Sequence, residues 1–156
     1  MLLIVGFLFM LLFIFAGMGI VSGMLLRQII DLPSALIIIV SLIFFLILSK
    51  SGSIIGRYIK TSFTKDHTYT RSELARLSAA IRNTNKFILG TGLVCFLFSM
   101  IAILMNLQDR QMLGPNLAVA LFTVHYSVSI SCFVFFPTQA WAENKLNALK
   151  GETEER

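Results

Sequence analysis

Two apolar stretches of this chain carry small polar side chains at helical spacing. In one, Thr91, Cys95, Ser99, Ala102 and Asn106 follow steps of four, four, three and four. In the other, Asn116, Ala120, Thr123, Ser127, Ser131 and Val134 follow steps of four, three, four, four and three. At the helical repeat each set makes a stripe along one face. A hydroxyl donates one hydrogen bond and accepts others, so such a stripe suits the passage of a hydrated ion. Small side chains equally suit the close packing of one helix on another. Spacing alone leaves both open.

The titratable residues limit the chemistry further. The acids are Asp31, Asp66, Glu73, Asp109, Glu143, Glu152, Glu154 and Glu155, and none lies within an apolar stretch. A proton or sodium ion crossing a bilayer normally binds an intramembrane carboxylate on its way, so an ion path here must borrow its acid from a partner. His67 and His125 are far apart in sequence, neither has an acid at catalytic spacing, and no cofactor-binding pattern occurs. This argues against an enzyme and against a bound cofactor. His125 falls off the polar stripe and reads as an interhelical hydrogen-bonding residue, with a proton relay as the alternative. Cys95 and Cys132 both sit in apolar runs, which supports neither a disulfide framework nor a metal site.

Composition defines the elements that must hold these residues. Of 156 residues, 56% are hydrophobic and mean hydropathy is +0.82, against an apolar share of roughly 45–50% in soluble domains. The expected fold is an all-α integral membrane protein. Four stretches approach the ~20 residues that a spanning helix needs: 3–26, 34–49, 87–107 and 116–136. The first lacks a basic leader and a cleavage site and is expected to remain as a span, with Ala16, Gly19 and Gly23 as its packing face. The second is short and is expected to run on through Ile54 and Ile55 as a helix leaving the bilayer, past the weak breakers Ser51, Gly52 and Ser53.

Charge orients these spans. The formal net charge is +5, and Lys50, Arg57, Lys60, Lys65, Arg71, Arg76, Arg82 and Lys86 all fall between the second and third spans, whereas the other two connections hold Arg27 and Arg110. The positive-inside tendency then places loop 50–86, tail 138–156 and both termini in the cytoplasm. Basic residues gathered in loops this way do not call for nucleic acid as a partner. Trp141 and Lys145 suit the lipid interface. Within the loop, Thr70 and Glu73 have capping-box spacing, and Leu74, Leu77, Ala80 and Ile81 recur at helical intervals. An amphipathic helix is therefore expected over 71–83, lying on the membrane surface or extending the third span.

The segment LGPNLAVALFTVHYSVSISCFVFFP, 113–137, carries Leu113-Gly114-Pro115, Ala118-Val119-Ala120, Thr123, Tyr126 and Phe135-Phe136-Pro137 in that order. It closely resembles the last span of flagellar stator A subunits of the MotA/PomA type. The segment IDLPSALIIIV, 30–40, resembles the lead-in to that family's second span. The resemblance extends to the related ExbB and TolQ proton-channel proteins. It implies a pentameric ring of A-type subunits in the bacterial inner membrane, around two single-span B-type subunits like MotB, ExbD or TolR that carry the ion-binding aspartate. It also implies transported H+ or Na+ in place of a cofactor. By this resemblance Thr91, Cys95, Ser99, Thr123, Ser127 and Ser131 are ion-path or partner-facing residues, and Pro115 and Pro137 are hinges.

The chain also departs from the family. A loop of about 37 residues, 50–86, replaces the large rotor-contacting domain. The second residue of the family's Thr-Thr pair is Val124, and Ser127 replaces the glycine after the tyrosine. The third-span Gly-Thr is matched by Gly90–Thr91 or, without a gap, by Cys95–Phe96. The competing expectation is a non-conducting structural or regulatory membrane protein on the same scaffold.

Overall fold

A computed structural model of the chain describes residues 31–62, 69–105, 107 and 110–154. The expected first span, 3–26, lies outside these residues. Helix α1, Leu32–Leu48, begins where Asp31 accepts the Ser34 N–H on its carboxylate at 3.0 Å. Pro33 sits in the first turn, where its missing N–H costs nothing. Ser34 and Ile38 are buried on one face, while Leu36, Ile37, Val40, Ile43, Phe44 and Ile47 remain exposed. A helix that is apolar almost all round suits hydrocarbon as its surroundings.

The helix expected to continue past Ser49 through Ile54 and Ile55 does so only after a sharp corner. Lys50 adopts φ 53°, and helix α2, Ser51–Ser62, leaves at 103° to α1. Local bonds hold the corner: the Ser51 N–H donates to Ser49 Oγ at 3.3 Å, and Ser53 Oγ donates to the Lys50 carbonyl at 2.9 Å. Ser49 and Ser53, on either side of Lys50, offer the backbone such alternatives to the helical ladder. Sequence reasoning treated Ser51, Gly52 and Ser53 as weak breakers, but acting together with a left-handed lysine they turn the chain.

Helix α3, Arg71–Met105, has 35 residues and is about 52 Å long at 1.5 Å per residue. Its first turn is capped as the Thr70/Glu73 spacing suggests, with the Thr70 N–H donating to Glu73 Oε2 at 3.1 Å. Leu74, Leu77, Ala80 and Ile81 are all buried. The stretch 71–83 is no separate element, because Asn83-Thr84-Asn85-Lys86 contains no glycine or proline to end it. It extends the third span.

The last helical stretch has three parts: α4, Arg110–Ile130, a π-helical turn at Ser131–Phe135, and α5, Phe136–Glu154. Pro115 lies inside α4 without ending it. Pro137 was expected to set the exit of the tail at the end of the span, yet the helix runs through it. The π turn explains why. A proline ring clashes with the carbonyl four residues back, here that of Phe133. Widening the ladder over Ser131–Phe135 makes room, with the Phe136 N–H reaching back to the Ser131 carbonyl.

Among the described residues, α3 and the continuous helix Gln111–Gly151 are long and apolar enough to cross a membrane. The bent pair α1 and α2 makes a third if counted as one span. Helix α3 packs most extensively on α4 and also meets α1, α2 and α5. Ile38, Leu77, Ile81, Ile88, Phe135 and Ala142 form the core they share, and Phe45 of α1 stacks on Phe87 of α3 at 4.2 Å.

The left-handed corner has a measurable consequence. Lys50→Gly should leave thermal stability in detergent unchanged or raise it, because glycine accepts φ 53° freely. Lys50→Val should lower it by about 1–2 kcal/mol. Equal effects of the two would remove the corner as the cause.

Candidate functional site

The two polar stripes occupy different surroundings. On α4 and the π turn that follows it, Ala120, Thr123, Ser127 and Ser131 are buried, with Asn116 and Val134 exposed at the ends. They form the seam with α3, and the residue opposite them is Gly92. A Cβ at Gly92 would fall on the side chain of Ser127 and stand 3.3 Å from the Thr123 carbonyl oxygen. The two backbones approach closely there because one side contributes no side chain at all. On α3 the seam face is Thr84, Asn85, Ile88, Gly92 and Ile103, all buried. Thr91, Cys95 and Ser99 lie to one side of it and are half-buried, Ala102 is exposed, and Asn106 lies outside the described residues.

Hydroxyl bonding along the seam is internal to each helix. Thr123 Oγ1 donates to the Ala120 carbonyl at 2.8 Å and Ser127 Oγ to that of Val124 at 2.9 Å. On α3, Thr84, Thr91 and Ser99 donate to the carbonyls of Ala80, Phe87 and Cys95 at 2.8, 3.0 and 2.9 Å. Each spends its proton locally and keeps oxygen lone pairs for an outside donor. Such a group can accept from a protonated carboxyl or contribute to the shell of a cation. It supplies no activated nucleophile.

Two buried polar atoms of the seam break this pattern: among the described residues, Asn85 Oδ1 and Ser131 Oγ have no hydrogen-bond partner. The contacts of Ser78 with Glu143 and of Gly92 with Ser127 fix an antiparallel register. In that register Asn85 stands level with the π turn that contains Ser131. Ser131 Oγ stands about one helical turn from that level, so both unbonded atoms lie within the same stretch of the seam.

Toward the expected cytoplasmic end, the seam closes with a polar clasp. Glu143 Oε1 accepts from Gln139 Nε2 at 2.9 Å and from Ser78 Oγ at 3.1 Å. These two bonds, with the nearby positive charge of Arg82, hold the Glu143 carboxyl below its ordinary value of 4.5 despite an opposing effect of desolvation. At the other end, α1 is tied to α4: the Asp31 N–H donates to Tyr126 Oη at 2.8 Å, and Ser34 Oγ donates to the Val119 carbonyl at 3.5 Å. His125 is half-buried, its ring edge-on to Tyr126 at 5.8 Å.

Sequence reasoning found the α4 stripe but missed Gly92, Asn85 and both tying contacts. Gly90, the glycine of the Gly-Thr match, has open space around it. The signal for Gly92 was its place four residues after Ile88, which itself continues the 77–81–84/85 face. Cys95 and Cys132 are free thiols, and no group of three or more His, Cys, Asp or Glu that could hold a metal occurs among the described residues.

No protein-family model matches the chain. It is 41% identical over 54 residues to an uncharacterized protein, YtxD, of Bacillus subtilis (strain 168). That match covers 35% of this chain and 20% of YtxD, so the chain spans about a fifth of that relative's length.

Two outcomes follow from the seam and its clasp. Gly92→Ala should lower the thermal midpoint, costing about 1–3 kcal/mol by overpacking, and Ser127→Gly in the same chain should recover most of the loss because it removes the side chain the new Cβ would strike. Purely additive losses would contradict the close approach. For Glu143 the folded-state value is lowered, so its contribution to stability is full above the ordinary 4.5 and is lost as pH falls through the folded value. Glu143→Gln should therefore lower the thermal midpoint slightly near neutral pH, where the carboxylate's contribution is full, and converge with the parent in acid, so that the midpoint becomes less acid-sensitive, as pH-stepped melts would read.

Proposed function

We propose that this chain is an A-type subunit of an ion-driven rotary membrane complex of the MotA/TolQ/ExbB kind. In this reading it forms a ring, a pentamer by the resemblance, around a B-type dimer whose aspartate binds the transported H+ or Na+. The observation that carries the proposal is that the two motif-bearing segments, far apart in sequence, meet: the Asp31 N–H bonds to Tyr126 Oη across 95 positions. The motif-like residues thus share one structural unit, as a family scaffold would require. The apolar stretches 34–49, 87–107 and 116–136 carry no carboxylate, which supports it too, since a conducting complex must then take its acid from a partner.

Within this proposal the two stripes have separate tasks. Thr91, Cys95 and Ser99, half-buried on α3, face a partner helix, while Thr123, Ser127 and Ser131 form the backing seam that sets the spacing of α3 and α4. Both termini lie in the cytoplasm of a bacterial inner membrane, by the charge asymmetry. The second reading, a non-conducting scaffold, is favoured by Val124 and by the internal bonding of the seam hydroxyls.

Native mass measurement of the chain, expressed alone and with a B-type protein, tests assembly; a stable monomer under both conditions would sink the proposal. In the assembled complex, Thr91→Val should abolish ion-dependent activity with assembly intact. Thr123→Val should act through the seam, reducing assembly and activity together. Full activity in both variants would favour the scaffold reading. External labelling of a cysteine placed at Asn147 should fail in intact cells if the tail is cytoplasmic.

A further inference from the structure

The corner at Lys50 gives α2 an orientation of its own. With α1 placed along the membrane normal, a helix bent from it by 103° lies close to the plane of the bilayer. Ile54, Ile55 and Tyr58 of α2 pack partly buried against the shared core, while Arg57 and Lys60 are exposed. This is the layout of an interfacial amphipathic helix. Its depth is marked independently by aromatic residues. Tyr58, Tyr69 and Trp141 cluster with ring centroids 5.2 to 6.1 Å apart, and Lys145 Nζ stands 5.0 Å from the Tyr69 ring and 5.2 Å from that of Trp141. Tyrosine and tryptophan with an adjacent lysine gather at the headgroup level of a membrane.

Beside this cluster, between α2 and the first turns of α3, is a pocket of about 270 Å³. At roughly 30 Å³ per water this is room for a handful of heavy groups. Arg57 and Arg76 line it from two different helices, with Tyr58 and Tyr69 adding phenol hydroxyls and Ile54 and Leu77 apolar side chains. Glu73 also lines it, but its carboxylate accepts the capping N–H of Thr70. Two guanidiniums against one carboxylate leave a net positive pocket, in a loop where eight basic residues face Asp66 and Glu73 alone. Guanidiniums match the geometry of a phosphate, and the apolar residues beside them in the lining suit the glycerol and first methylenes of a lipid.

We propose that this pocket seats the phosphate headgroup of an anionic phospholipid, anchoring α2 and the start of α3 to the cytoplasmic leaflet. The site rests on the membrane placement of α1 and not on the ion-driven assignment, so it is tested without any partner subunit. Trp141 is the only tryptophan of the chain and lies 5.6 Å from Tyr69 of the pocket wall. The full chain is reconstituted into phosphatidylcholine vesicles containing a minor fraction of spin-labelled phosphatidylglycerol or, at equal amount, spin-labelled phosphatidylcholine. The labelled anionic lipid should quench Trp141 at a mole fraction about tenfold lower than the zwitterionic one. The double variant Arg57→Gln/Arg76→Gln should lose that preference. Arg71→Gln/Lys150→Gln, which removes the same charge outside the pocket, should keep most of it. Equal quenching by the two lipids in the wild-type chain would overturn the proposal even if the double variant fails to insert. Equal losses in both double variants would reduce it to general surface charge and overturn the pocket. Relief of quenching by millimolar inorganic phosphate at constant ionic strength would assign the pocket to a soluble phosphate instead.

Discussion

Most of this structure depends on one close approach, that of α3 and α4 at Gly92. Where a side chain is absent, two backbones come near enough for Ser127 to fill the gap that a Cβ would occupy. That contact sets the register of the longest helix pair, and the register decides what else can meet. It brings Ser78 opposite Glu143, puts Asn85 level with the π turn, and leaves Thr91, Cys95 and Ser99 beside the seam. In hydrocarbon there is no hydrophobic drive to press helices together, so such shape-based contacts carry the association.

The helix that faces Gly92 is itself a compromise. Pro137 would break a regular α-helix, and the π turn before it absorbs the missing donor at the cost of an irregular ladder. The result is one long rod from the span into the polar tail, with its irregularity where the buried, unbonded Ser131 Oγ lies. The neighbouring helix offers the same kind of group in Asn85. Polar atoms left unsatisfied cost free energy, so their presence within one stretch of the seam marks that stretch as the least closed part of it.

How much of this was legible in the sequence depended on whether the deciding interaction was local. The cap at Thr70 and Glu73, the buried face Leu74, Leu77, Ala80 and Ile81, and the stripe through Thr123 and Ser127 follow from periodicity within one helix. The corner at Lys50 was not legible, because it rests on a lysine in a conformation that its type disfavours, stabilised by serines on either side. Nor was the task of the α4 stripe. Periodicity shows which residues share a face, but only the partner helix determines whether that face is open, and Gly92 closed it. The Asp31–Tyr126 bond joins segments that no local pattern links.

The hydroxyls of the seam have a mechanical meaning beyond their packing. Those of Thr84, Thr123 and Ser127 each donate to a carbonyl of their own helix, so none of these three donations crosses from α3 to α4. Interhelical hydrogen bonds act as detents: to slide, a helix must break one set before making the next. Where each hydroxyl carries its bond along with its own helix, small sliding movements break none of these bonds, and the seating of Ser127 at Gly92 is what resists them. The bonded contact at the expected cytoplasmic end, Ser78 with Glu143, then behaves as a pin. Displacement along the pair would be smallest at that pin and grow with distance from it.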